Sequence, residues 1–89
     1  MSDHAFVPDE IEARIRNYLS NEIIIDDSVQ LDGSTPLLSG LVDSIGLMEL
    51  VSFLEEEFGI NLENQDVDAV NFRTASDITH LVSRRMQER

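Results

Sequence analysis

The sequence contains no cysteine and only 6 basic residues, all of them arginine, against 18 acidic ones. Without cysteine there is no disulfide framework, no thiolate metal site and no cysteine nucleophile, so any thiol chemistry has to be imported. The shortage of basic side chains leaves a formal charge of −12. That surplus repels nucleic-acid phosphates and anionic lipid headgroups, and it excludes direct nucleic-acid binding. No apolar run approaches the roughly 18 residues of a membrane span, and Met1-Ser-Asp-His-Ala has neither the basic flank nor the apolar stretch of a secretory signal. These absences predict a soluble, cytoplasmic protein. With 89 residues the chain has room for one core, and a domain of this size hides only about 60–65% of its unfolded surface. We expect a single domain over residues 1–89, ordered from about 8 to 86.

What the sequence does hold is helical periodicity. Ile11, Ile15, Tyr18 and Leu19 recur at i, i+4, i+7 and i+8, one face of a helix from about Pro8 to Leu19. Pro8 suits a first turn, where its missing N–H is not needed, and Asp9, Glu10 and Glu12 put negative charge near the positive helix end. From about residue 20 to 43 the pattern gives way to turn chemistry in Asp26-Asp-Ser, Asp32-Gly-Ser-Thr-Pro36 and Ser39-Gly40. The apolar residues scattered there, Val29, Leu31, Leu37, Leu41 and Val42 among them, are too many for a solvated linker. They predict a long loop folded onto the core, with Ile23-Ile-Ile25 as an extended or last helical turn. A second helix runs from Ser44 to about Phe58 and stops at Gly59, which takes a left-handed C-terminal cap at no steric cost. A short helical piece follows near Gln65 to Val70. The last helix starts with Thr74 or Ser76 as cap and buries Ala75, Ile78, Leu81, Val82 and Met86. The expected fold is all-α: a small four-helix bundle, its third helix short, with a long loop between helices one and two.

The second helix has more apolar residues than one buried face needs. Leu47, Leu50, Val51, Leu54 and Phe58 form a core stripe. Ile45, Met48 and Ser52 fall off it at i, i+3 and i+7, interleaved with Glu49 and Glu56, and make a second face that is part apolar and part acidic. This face reads as a docking surface. Residues 17–72 contain no basic side chain, so such a surface would steer encounter with basic patches on other proteins.

At the head of this helix stands Leu41-Val-Asp43-Ser44-Ile45-Gly46-Leu47-Met48-Glu49-Leu50. Taken alone, Asp43-Ser44 is a helix N-cap, since either side chain can accept from free N–H groups of the first turn. In context the chain resembles the acyl carrier and peptidyl carrier (thiolation domain) family. The likeness rests on a first amphipathic helix, a long loop, Gly40-Leu-Val-Asp-Ser-Ile45, a helix ending Leu54-Glu-Glu-Glu-Phe-Gly-Ile60, and the Asn71-Phe-Arg-Thr74 turn into the last helix. Asp-Ser-Ile alone is a frequent chance match; this order, length and charge together are not.

The resemblance implies that Ser44 receives 4′-phosphopantetheine from coenzyme A as a phosphodiester, through a separate phosphopantetheinyl transferase that uses Mg²⁺. It implies that Asp43 assists the transferase, and that Ile45, Met48, Glu49 and Glu56 meet successive partners: a loading ligase or transferase, then downstream synthase enzymes. The protein would be a monomeric, non-catalytic carrier of an acyl, polyketide or aminoacyl thioester. Elementary chemistry agrees, because the chain lacks a thiol of its own and helix N–H groups favour an anion beside Ser44. One departure is Gly46, where carriers of bacterial fatty acid synthesis usually show an acidic residue; it points to a more specialised pathway. Met1 and the arginine-rich end predict a free-standing protein.

An unmodified helical adaptor using the Ile45 and Met48 face fits composition and periodicity equally, and differs in tolerating loss of Ser44. A calcium loop fails, since Gly33 at its sixth position would put Ser28 and Ser39 where acidic ligands are needed. No H-E-x-x-H, phosphate-cradling loop or Ser/His/Asp set supports an independent enzyme, and His4 and His80 are remote in sequence from Ser44.

Overall fold

The computed structural model describes residues 7–24 and 30–88. Among them every regular element is helical: α1 (Pro8–Tyr18), a π-helical turn (Leu19–Ile23), α2 (Ser44–Phe58), a 3₁₀ turn (Asn64–Asp66) and α3 (Ala75–Glu88). Ile25, the Asp26-Asp-Ser turn and Val29 lie outside the described residues.

The start of α1 is set by Pro8 at its first position, with Asp9 and Glu10 in the first turn, and the helix buries Ile11 and Ile15. Leu19 is buried in line with them, but there the helix widens. The Leu19 carbonyl accepts from the Ile24 N–H at 2.6 Å, five residues on, so Ile23 closes a π turn and Ile24 is extended. Of the expected Ile23-Ile-Ile25 turn, the first residue is thus helical and the second extended. α1 packs chiefly on α3, whose Ile78, Leu81 and Val82 are fully buried. α3 is capped by Thr74: its hydroxyl accepts from the Asp77 N–H at 3.1 Å and donates to the Asp77 carboxylate at 3.0 Å.

The long loop folds onto this pair as its apolar content requires. Leu37 and Val42 are buried and Leu31 and Leu41 pack against the core. Two backbone bonds pin the loop to the start of α3, from Ser76 N–H to the Gly33 carbonyl (2.9 Å) and from Leu37 N–H to the Arg73 carbonyl (2.8 Å). Asp32 organises its turn, accepting from the Ser34 N–H at 2.9 Å and from the Ser34 and Thr35 hydroxyls at 3.0 and 3.1 Å. Those bonds, the Ser34 N–H first, hold its carboxyl below the usual range.

The short helix expected near Gln65 to Val70 is present as a single 3₁₀ turn, Asn64–Asp66, and goes no further. The bundle is therefore three α-helices and this turn. The cause is competition from aspartate side chains. Asp68 Oδ1 accepts from the N–H groups of Val70 (3.0 Å) and Asn71 (2.7 Å), which a continuing helix would need. Asp66 is drawn inward instead. Its Oδ2 accepts from the Glu63 N–H at 2.9 Å, and its Oδ1 from the Arg85 guanidinium of α3 at 2.6 Å.

The Arg85 guanidinium, followed by the Glu63 N–H, holds the Asp66 carboxyl below the ordinary carboxylate range. A depressed folded-state value stabilises the fold above the unfolded value, about 3.9, and the contribution is lost as pH falls through the folded one. Asp66→Asn is therefore expected to unfold at lower urea than the wild type at neutral pH. The gap should close as pH is lowered below about 4. A gap independent of pH would show that Asp66 acts through packing alone.

Candidate functional site

The head of α2 is built by Asp43. Its backbone is extended (φ −91°, ψ −174°), its Oδ1 accepts from the Gly46 N–H at 2.7 Å, and its carbonyl accepts the first helical bond from the Leu47 N–H at 2.8 Å. Asp43 is thus the cap, which the sequence left open between Asp43 and Ser44. Upstream, the Val42 N–H bonds to the Leu37 carbonyl at 2.9 Å and fixes how the loop enters the helix. Ser44 becomes the first helical residue. It is exposed, and its hydroxyl has no hydrogen-bond partner among the described residues. With Gly46 N–H spent on the cap and Leu47 N–H on the ladder, the N–H groups of Ser44 and Ile45 are left outside the helical ladder.

The two faces of α2 separate as the spacing predicts. Leu50, Leu54 and Phe58 are buried, with Leu47 and Val51 half-buried behind them. On the outer face Ile45 is 69% and Met48 71% exposed, and Glu49, Ser52 and Glu56 are exposed as well. Glu49, Ser52 and Glu56 line an open groove of about 350 Å³ together with Phe53 and, from the end of the first helical segment, Tyr18 and Glu22. Ile45 and Met48 are not part of it; they stand on the turn nearer Ser44.

Tyr18, Glu22 and Phe53 are the residues that the sequence did not assign to this surface. Tyr18 and Phe53 stack at 4.0 Å with rings 10° apart, and the Tyr18 hydroxyl donates to the Glu49 carbonyl at 3.4 Å. Nothing in the local pattern links residues this far apart in sequence. Burial, then the charges of Glu49, Glu22 and Glu56, push the Tyr18 phenol above its usual value. Glu22, Glu49 and Glu56 form no ion pair among the described residues. Two other acids of the stretch without basic residues are paired: Glu57 with Arg14 of α1, and Asp66 with Arg85.

A family model described as phosphopantetheine attachment site matches residues 13–82. The chain belongs to that family. The carrier is similar to the probable acyl carrier protein PigG of a Serratia strain, 29% identical over 75 residues that cover 83% of this chain and 86% of that protein. It is 27% identical over 79 residues to the acyl carrier protein of Thermotoga maritima, covering 88% of this chain and 94% of that one. A chloroplastic acyl carrier protein 4 of Cuphea lanceolata is 25% identical over 80 residues, which cover 90% of the carrier and 56% of the plant protein. Members of the family are non-catalytic proteins that bear covalent 4′-phosphopantetheine, added by a phosphopantetheinyl transferase, and that present acyl groups to biosynthetic enzymes. Membership displaces the unmodified adaptor as a reading of this carrier. The features around Ser44 suit such a group: an exposed, unengaged hydroxyl beside helix N–H groups left outside the ladder is compatible with a phosphodiester.

Proposed function

We propose that Ser44 is the attachment residue for 4′-phosphopantetheine, and that the outer face of α2 receives the transferase and the enzymes that load and use the carried acyl, polyketide or aminoacyl group. The observation behind this is the division of labour at the helix head. Asp43 does the capping, and Ser44 is left exposed with a hydroxyl committed to nothing. Ser44 is a substrate of modification rather than a nucleophile activated within the chain; the base and Mg²⁺ come with the transferase. The N–H groups of Ser44 and Ile45, at the positive end of the α2 dipole, stabilise the phosphodiester charge on an otherwise acidic surface. Once attached, the group supplies the thiol on which cargo is held as a thioester. Asp43 orients the helix head for the transferase. No helix among the described residues is long and apolar enough to cross a membrane, and we take the carrier to act as a cytoplasmic monomer.

Peptide mapping after modification tests the assignment: the added mass belongs on the fragment holding Ser44, and its recovery on another serine would overturn it. The docking face has its own test. Reversing Glu49 and Glu56 together to Arg is expected to slow loading by partner enzymes about tenfold at low salt, with a smaller effect at high salt, because exposed charge acts mainly on encounter. Loading rates equal to wild type at low salt would remove these residues from the docking surface.

A further inference from the structure

Gly46 is buried in the first turn of α2. Glycine inside a helix loses more backbone freedom than any other residue, so its place here calls for a physical reason. The reason is space. A Cβ on residue 46 would lie 3.1 Å from Ile23 Cγ2 and 3.2 Å from Asp43 Oδ1, with Val42 Cγ1 at 3.5 Å. The Ile23 approach is closer than the roughly 3.5–4.0 Å optimum between carbon atoms. Each tight neighbour has contacts of its own that a shift would disturb. Ile23 closes the π turn and packs against the core, and Asp43 Oδ1 is held by the 2.7 Å bond from the Gly46 N–H itself.

We propose that Gly46 is a positioning residue for the modification of Ser44. Lacking a side chain, it lets the Leu19–Ile23 turn close against the head of α2 and leaves Asp43 in its cap, and the cap fixes the direction in which Ser44 leaves the helix. The proposal rests on Ser44 being the attachment residue. A methyl group at position 46 has to displace either Ile23 or the Asp43 carboxylate. Asp43 is exposed and gives way more easily, so the cap loosens and Ser44 spends less time in the orientation the transferase binds. A reduced competent fraction raises the apparent binding constant and leaves the chemical step unchanged at saturation.

The test measures transferase kinetics, with coenzyme A and Mg²⁺, on the wild type, Gly46→Ala, and Gly46→Ala combined with Ile23→Ala or with Ile23→Val. Amide hydrogen exchange at residue 46 is followed in the same proteins. In Gly46→Ala the KM for the carrier should rise about tenfold with kcat within about twofold, and the residue-46 amide should exchange about tenfold faster. Ile23→Ala removes Cγ2 and should restore both; Ile23→Val keeps a methyl in that place and should restore neither. Wild-type exchange and KM in Gly46→Ala, or losses that persist with Ile23→Ala, overturn the proposal. Exchange reports the Asp43 cap whether or not Ser44 is modified. Faster exchange rescued by Ile23→Ala, with the modification mapped to another residue, would instead refute the reading of Ser44 and the link to modification.

Discussion

Ser44→Ala is expected to fold as the wild type does and to take up no phosphopantetheine. The hydroxyl it removes is exposed and has no partner among the described residues, so no buried group is left unsatisfied. The cap of α2 is untouched, since the bond to Gly46 N–H comes from Asp43. Its loss, about 1 kcal/mol, is the expected cost of Asp43→Ala instead. The unfolding free energy of Ser44→Ala should therefore lie within about 0.5 kcal/mol of wild type, as for other exposed sites. Ser44 alone among the described serines pairs an exposed, unengaged hydroxyl with the first position of a helix: Ser76 is half-buried in the first turn of α3, Ser20, Ser52 and Ser83 lie within helical segments, and Ser34 and Ser39 sit in turns with their hydroxyls directed to the Asp32 carboxylate and the Pro36 carbonyl. Uptake by Ser44→Ala at even a fraction of the wild-type extent would mean that the attachment residue lies elsewhere.

Leu54→Ala has the largest expected effect on stability. Leu54 is wholly buried in the middle of α2, against the core shared by all three helices. Truncating such a leucine removes its transfer free energy and leaves a cavity, about 2–5 kcal/mol together. A domain this small starts from a total near the low end of about 5–15 kcal/mol, so the variant loses a large part of its stability. Its thermal midpoint should fall by roughly 10 °C or more. Met48→Ala, six residues earlier on the same helix but 71% exposed, should change stability by no more than about 0.5 kcal/mol. Urea unfolding of the two variants side by side checks the division of α2 into a core face and an outer face. Equal losses would show that Met48 packs in solution, and would remove it from the docking surface.

The parts of the fold written in local chemistry were legible in the sequence. Pro8, Gly59 and Thr74 mark helix ends by properties of single residues, and the structure uses each of them so, with Gly59 at φ 65°. The outer face of α2 was legible because 3.6-residue periodicity sorts side chains without reference to the rest of the chain. What was not legible depends on partners distant in sequence. The segment 65–70 has helical composition, yet Asp66 is drawn to Arg85 nineteen residues on, and Asp68 takes the N–H groups that a helix would have used. Residues 17–72 contain no basic side chain, yet arginines from outside that stretch pair with Glu57 and Asp66 within it. The groove was hidden for the same reason, since Tyr18 and Phe53 come together only when the end of the first helical segment lies beside α2. Gly46, legible only as an unusual residue in its motif, gains its meaning from the contact with Ile23.

The most direct measurement is the intact mass of the folded carrier before and after incubation with coenzyme A, Mg²⁺ and a broad-specificity phosphopantetheinyl transferase, with Ser44→Ala in parallel. A gain of one phosphopantetheine on the wild type and none on the variant is the predicted result. No gain on a folded wild type that carried no prior modification, or an equal gain on both proteins, would contradict attachment at Ser44.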